Sequence, residues 1–223
     1  MLRGCFVTGS DTGVGKTVLA AAIVASLRAR GEPVSARKPV LTGLDERDPL
    51  VPFDHDLLAL AGGGTAEEVA PLRYGPAVSP QLAAELAGAA IDVDALLANL
   101  RAAPAPVVVE GIGGLLVPLA DGWDVRRLAL ELALGVVVAA RPGLGTINHT
   151  LLTLEAARSA GLDLRAVVLT PWPREPGRLE RSNLATIERL GGVEVATLEV
   201  LAEFSAPALA AAGSRLGYES WLS

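Results

Sequence analysis

The stretch GSDTGVGKT, Gly9 to Thr17, stands between the apolar runs CFVT and VLAAAIVASL. Glycines at 9, 13 and 15 permit backbone conformations that turn successive N–H groups inward around phosphate oxygens. The usual phosphate loop has four residues between its first glycine and the final Gly-Lys-Thr; here five residues separate Gly9 from Gly15. The extra residue shifts where the loop starts and leaves Gly15, Lys16 and Thr17 undisturbed. A helix opening at Lys16 would add unpaired N–H groups and the positive end of its dipole. Lys16 would then reach the terminal phosphates and the Thr17 hydroxyl would coordinate Mg²⁺.

A second cation draws attention by its rarity. Of 19 basic residues only Lys16 and Lys38 are lysines. A compact ammonium fits between phosphate oxygens or beside a reacting group where a planar guanidinium does not. Lys38 lies in ARKPVLTG, at the end of an apolar segment that Pro39 prevents from continuing as an interior strand. Carboxylates complete the set. Glu110 follows the run VVV and precedes Gly111, Gly113 and Gly114, where an acid is costly unless solvated, paired or bound to a cation. Asp54 and Asp56 head the helical segment DHDLLAL, where one of them serves as an N-cap. Thr17, Glu110 and one of the two aspartates would supply an oxygen shell for Mg²⁺, a cation that keeps several waters and takes one or two carboxylates.

These residues must be brought together by the elements that flank them. Strand segments are expected at Gly4 to Thr8, Pro33 to Val40, Pro106 to Glu110, Gly135 to Ala140, Leu164 to Thr170 and Val193 to Leu198. Helices are expected at 16–30, 56–61, 80–87, 92–102, 124–134, 148–160 and 179–190. Continuous apolar strands suit a sheet covered on both faces, and strand–helix alternation predicts an α/β fold: a doubly wound, mostly parallel sheet with helices on both sides. Ligands bind such sheets beyond the carboxyl ends of the strands, which is where each motif falls.

Composition narrows the classes. A chain of 223 residues, 51% apolar, can bury a full core, and one domain spanning 1–223 is expected. A net charge of −6 with scattered arginines offers no basic face, so nucleic acid is not an expected partner. The absence of a long uncharged apolar run argues against a membrane span, and the absence of a leader-like N-terminus argues for the cytoplasm. The single cysteine, Cys5, reads as a small buried hydrophobe.

Together, FVTGSDTGVGKT, KPVLTG, HDLLAL, VVVEGIGGLLVPL and LGTINHTLLT resemble the dethiobiotin synthetase family in order and approximate spacing, with a weaker echo at VLAEFS. The resemblance implies a C–N-bond-forming ligase of biotin biosynthesis: 7,8-diaminononanoate takes up CO₂, the carbamate is phosphorylated by a nucleoside triphosphate with Mg²⁺, and the ring closes. It implies Lys38 and Lys16 as catalytic and Thr17, Asp56 and Glu110 on the metal, Asp56 being preferred because DLLAL matches the family pattern. Nucleotide contacts would come from Gly13, Val14, Gly15, Lys16, Thr17, Val18, Asp56, Glu110, Gly111, Gly113, Thr170, Pro171, Leu201 and Ala202. Thr42 would touch the diamine. Gly145, Ile147 and Asn148 would hold its carboxylate across a homodimer interface. The segment TPWP departs from the family, which often has Asn-Asp there to recognise adenine. Thr170 lacks the paired donor and acceptor of an amide and the prolines lack N–H groups, so a relaxed base choice, CTP as well as ATP, is expected. Two rival readings remain on the same core: a nucleotide-switched ATPase of the septum-site or partition type, and a cobyrinate-type amide synthetase. The first usually has an additional lysine early in the loop, and the second a glutaminase domain.

Overall fold

The computed structural model describes residues 2–46 and 52–222. In chain order the elements are β1 (Gly4–Gly9), α1 (Lys16–Ala29), β2 (Ser35–Arg37), β3 (Val40–Leu41), α2 (Asp54–Gly62), α3 (Ala66–Val69) and β4 (Leu72–Arg73). Then follow α4 (Pro80–Leu86), α5 (Val93–Arg101), β5 (Val107–Gly114), β6 (Pro118–Ala120), β7 (Trp123–Asp124), α6 (Val125–Leu132) and β8 (Gly135–Ala140). The chain closes with α7 (Thr146–Ser159), β9 (Leu164–Trp172), α8 (Arg178–Gly191), β10 (Glu194–Glu199), α9 (Ala206–Gly213) and a 3-10 turn, Tyr218–Trp221.

Side-chain alternation explains why the apolar runs are strands. In β1, Phe6 packs into one core layer while Cys5 and Val7 enter the other; in β8, Val136 and Val138 oppose Val137 and Ala139. Both faces of each strand are therefore buried, as a period of two demands when helices cover both sides. The main sheet has six strands in the order β10-β9-β8-β1-β5-β2, with all pairs parallel. From β1 the chain passes to β2 at one edge, returns to insert β5 between them, and then continues on the other side of β1 as β8, β9 and β10, so the strand order reverses at β1. That reversal opens a crevice beyond the carboxyl ends of β1 and β5.

Two expected boundaries are corrected. The segment beginning at Pro33 yields only Ser35–Arg37 in the main sheet; after Lys38 and Pro39 the chain pairs again as β3 with β4 in a separate two-stranded sheet. Glu110 does not end its strand, because β5 runs on to Gly114, with Glu110 beside Val7 and Gly114 beside Gly9. Gly111 permits this close approach: a Cβ there would stand 3.0 Å from Phe6 and 3.1 Å from Val125. Gly111 is thus held to glycine by packing, and it does not line the cavity beside the phosphate loop.

Helix α1 is buried on nearly every side from Leu19 to Leu27, since α2 and α9 cover what the sheet does not. Gly213 of α9 makes that packing possible, as a Cβ there would fall 2.0 Å from the carbonyl oxygen of Ala22. The C-terminal turn seals the end of this layer. Tyr218 Oη lies 2.9 Å from Ser26 Oγ, and Trp221 Nε1 donates to Glu194 Oε2 at 3.2 Å. Cys5 is wholly buried in this layer, and burial pushes its thiol up to about 12, far from the thiolate range. Because backbone oxygen cannot swing aside as a side chain can, Gly213→Ala should destabilise the fold by about 1–3 kcal/mol. Urea titration should show the loss as a lower midpoint with an unchanged slope.

Candidate active site

The loop from Ser10 to Gly15 is shaped around the Lys16 side chain. Gly15 sits at φ 89 immediately before α1, and a Cβ there would meet Thr170 Cγ2 at 2.8 Å. Gly9 is equally constrained, since a Cβ would lie 2.8 Å from the Asp11 carbonyl oxygen. Lys16 is 6% exposed and donates to the Asp11 carbonyl oxygen at 2.9 Å. Burial, with Lys38 nearby adding to it, pushes its ammonium down to about 8 although Glu110 and Asp54 pull the other way. An anion entering the loop would restore what burial removes.

Beside the loop lies a compact polar cluster. Lys38, 4% exposed, places Nζ 2.6 Å from Asp54 Oδ2 and 2.6 Å from Glu110 Oε1. Its own backbone N–H donates to the Val69 carbonyl, which fixes the chain where β2 ends. Burial disfavours the ammonium, but Glu110 and Asp54 more than offset that and hold Lys38 above its ordinary range. Burial also works against the Asp54 charge, yet Lys38 and the hydrogen bond from Thr17 bring it below the usual carboxylate range. Glu110, 1% exposed, is pushed up by burial in spite of Lys38.

Thr17 Oγ1 lies 2.8 Å from Asp54 Oδ1 and 3.0 Å from Glu110 Oε1. A hydroxyl has one proton, so it can donate to only one of these carboxylates at a time. Glu110 Oε2 is buried with no hydrogen-bond partner. One close oxygen pair without a proton and one orphaned carboxylate oxygen are what a hard divalent cation satisfies, so the donor set fits Mg²⁺.

The structure brings Asp54, not the expected Asp56, into this cluster. Helix α2 starts at Asp54 with Phe53 as its N-cap and no side-chain cap, so neither aspartate is an N-cap. Residues two apart on a helix point to nearly opposite sides. Asp54 faces Thr17 and Lys38, whereas Asp56 is exposed, 3.5 Å from His55 Nε2.

A cavity of about 390 Å³ joins these groups. Gly13, Gly15, Lys16, Thr17, Val18, Lys38, Thr42, Asp54, Glu110 and Gly113 line it, together with Ile112 and Phe204. Val14 is buried behind the loop. Thr170 packs against Gly15 and is 2% exposed, while Pro171 is exposed. Leu201 and Ala202 line a second cavity of about 290 Å³ with Arg174, Glu199 and Arg215, so the segment 200–204 borders both spaces. A third cavity, about 430 Å³, shares Thr12 with the first and is walled by Asp11, Leu116, His149 and Leu152. Gly145, Ile147 and Asn148 lie at the start of α7 and line none of these three cavities. Phe204 and Ile112 gave no signal in sequence beyond their hydrophobicity.

A family model described as an AAA domain matches residues 3–208. An ATP-dependent dethiobiotin synthetase of Haloferax mediterranei is 40% identical over 198 residues, covering 87% of this chain and 83% of the relative. Its counterpart in Anaeromyxobacter is 41% identical over 198 residues, covering 86% and 87%. The Bacillus subtilis counterpart is 34% identical over 201 residues, covering 87% and 85%. With these matches extending over a chain that carries the phosphate loop, the buried lysines and the carboxylate pair in one crevice, the protein belongs to the ATP-dependent dethiobiotin synthetase family.

Proposed function

We propose that the cavity between the phosphate loop and the Lys38 cluster is where this chain, a C–N-bond-forming ligase, converts 7,8-diaminononanoate and CO₂ to dethiobiotin with ATP. The observation that carries the reading is that both lysines of the chain are buried and line the same cavity. One amine of the diamine adds to CO₂ and loses a proton, giving a carbamate. The carbamate oxygen takes the terminal phosphoryl group and the nucleoside diphosphate leaves. The second amine then attacks the carbonyl carbon, phosphate departs with its oxygen, and the cyclic urea forms.

Such transfers need position and charge neutralisation more than covalent help. The inward N–H groups of the loop and Lys16 hold the phosphates and take up the charge that moves between them. Lys38 offers a fixed ammonium to the carbamate and its phosphorylated form, and Thr42 borders the diamine. Mg²⁺, held by Thr17, Asp54 and Glu110, would neutralise charge on the transferring phosphoryl group. Thr170 buttresses Gly15 in place of reading a base, which supports a relaxed choice between ATP and CTP. Exposed Leu116 and Leu152 beside the third cavity support a homodimer, with the partner completing the diamine site. No helix among the described residues is long and apolar enough to cross a membrane, and the proposal places the enzyme in the cytoplasm.

Phosphate release with Mg²⁺ and bicarbonate should depend on the diamine, yield dethiobiotin by mass, and proceed with CTP within about tenfold of ATP. Release indifferent to the diamine would overturn the reading and favour a switch-type ATPase. Lys38→Ala should bind nucleotide and lose turnover. Asp54→Asn should lower turnover roughly 10–100-fold and weaken Mg²⁺ dependence, whereas Asp56→Asn should stay within about twofold, the contrast expected between a metal-site carboxylate and a solvated one. Light scattering should return twice the mass of one chain.

A further inference from the structure

The segment 200–204 carries the chain from β10 to α9 and is held at both ends. The Val200 N–H donates to the Trp172 carbonyl, and Ser205 caps α9, its hydroxyl accepting from the Ala208 N–H at 3.3 Å and donating to Glu203 Oε1 at 2.6 Å. Next to that cap stands Phe204. An apolar residue before an N-cap commonly packs inward on the fourth residue of its helix, here the fully buried Leu209, yet the Phe204 ring stays 36% exposed. The chain's other two phenylalanines are accounted for by packing: Phe6 is wholly buried in the core, and Phe53 stacks on His55 with ring centroids 5.6 Å apart.

The space that Phe204 borders is the cavity of the phosphate loop. Among the described residues that line it, Phe204 alone is aromatic. Sheet order places the ring relative to the chemistry. Lys38 follows β2 and Glu110 lies in β5, both on one side of β1, whereas the segment 200–204 leaves β10, the edge strand on the other side. A terminal phosphate in the loop must meet the carbamate beside Lys38. The nucleoside at the far end of the triphosphate therefore extends away from that cluster, toward β9 and β10, where Phe204 and its neighbours Leu201 and Ala202 border the two adjoining cavities.

We propose that Phe204 is a binding residue for the nucleobase: its exposed ring stacks on the base of the nucleoside triphosphate whose phosphates lie in the loop. Every nucleobase offers a π-face, so stacking holds a base without reading its hydrogen-bond donors and acceptors. That mode suits a site in which Thr170 packs on Gly15 and has no amide to offer a base. The inference rests on the reading of this cavity as a nucleoside triphosphate site and adds the group that grips the base.

Calorimetry tests it through the Kd of ATP, CTP and inorganic tripolyphosphate, each with Mg²⁺, on wild-type enzyme, Phe204→Leu and Phe204→Trp. Tripolyphosphate can fill the loop but has no base. Phe204→Leu keeps an apolar side chain without the ring; it should raise the Kd of ATP about tenfold, raise that of CTP less because a single-ring base overlaps less, and leave tripolyphosphate within about twofold. Phe204→Trp should bind ATP at least as tightly as wild type. In both variants the KM for the diamine should stay within about twofold. A purely structural packing role would show as a lower melting midpoint with ATP and tripolyphosphate weakened together. That pattern, an unchanged ATP Kd in Phe204→Leu, or a raised diamine KM in place of a raised ATP Kd would overturn the proposal. A wild-type enzyme that binds neither ATP nor tripolyphosphate would instead overturn the reading beneath it.

Discussion

A carboxylate that water does not reach must be neutralised from within, and in this molecule Glu110 is neutralised by Lys38. Much of the site follows from that requirement. Lys38 can enter the interior only because β2 stops at Arg37 and Pro39 diverts the chain, and it can stay charged there only because Asp54 joins Glu110 around it. Asp54 comes from a different layer, at the first turn of α2. The cluster therefore ties the edge strand, a central strand and a covering helix to one point beside the phosphate loop. Losing either carboxylate would leave a buried ammonium undercompensated, and losing Lys38 would leave two acids facing each other.

The cluster also explains why two lysines suffice in a chain otherwise supplied with arginine. Each ammonium sits within hydrogen-bond distance of a backbone or carboxylate oxygen, a point-charge contact that suits a compact ammonium better than a planar guanidinium. Their electrostatic settings differ. Lys38 is held by two acids and stays an ammonium, whereas Lys16 is buried against a carbonyl and lowered towards neutral pH. A phosphate in the loop would complete the charge balance of Lys16, while the balance of Lys38 is already complete and must be shared when substrate or metal arrives. On the proposed reading, phosphate recognition and carbamate chemistry fall to lysines with opposite needs.

The sheet was legible in sequence because its strands are buried on both faces. CFVT, VVVE and GVVVAA carry their assignment in continuous hydrophobicity, and β8 matches its expected boundaries. Short pairings such as β3 with β4 involve two residues each and leave no periodic trace. Helix α9 was hidden for another reason: an alanine-rich run fits a turn or a helix until Gly213 is seen against Ala22. Lys16, Thr17, Lys38 and Glu110 could be singled out because phosphate and metal chemistry needs those residue types, here in a glycine loop, beside a proline break and within an otherwise apolar run. The choice between Asp54 and Asp56 could not be made that way. It depends on the rotational phase of α2, which its start at Asp54 sets and local pattern does not reveal.

Asn183 marks the limit of such reading from the other side. An asparagine in an arginine- and glutamate-rich helix looks like solvent-facing surface, and only the packing of α8 on α7 turns it inward. The main sheet fixes the phosphate loop through buried strands, whereas the turn between β8 and α7 has open space beside its glycines and is anchored by side chains, Arg141 on Thr12 and Asp11 among them. A loop of that kind has many accessible conformations, and each one excluded must be excluded by a specific bond. In the described structure the buried amide supplies two of them, so the turn between β8 and α7 is set in part from a neighbouring helix.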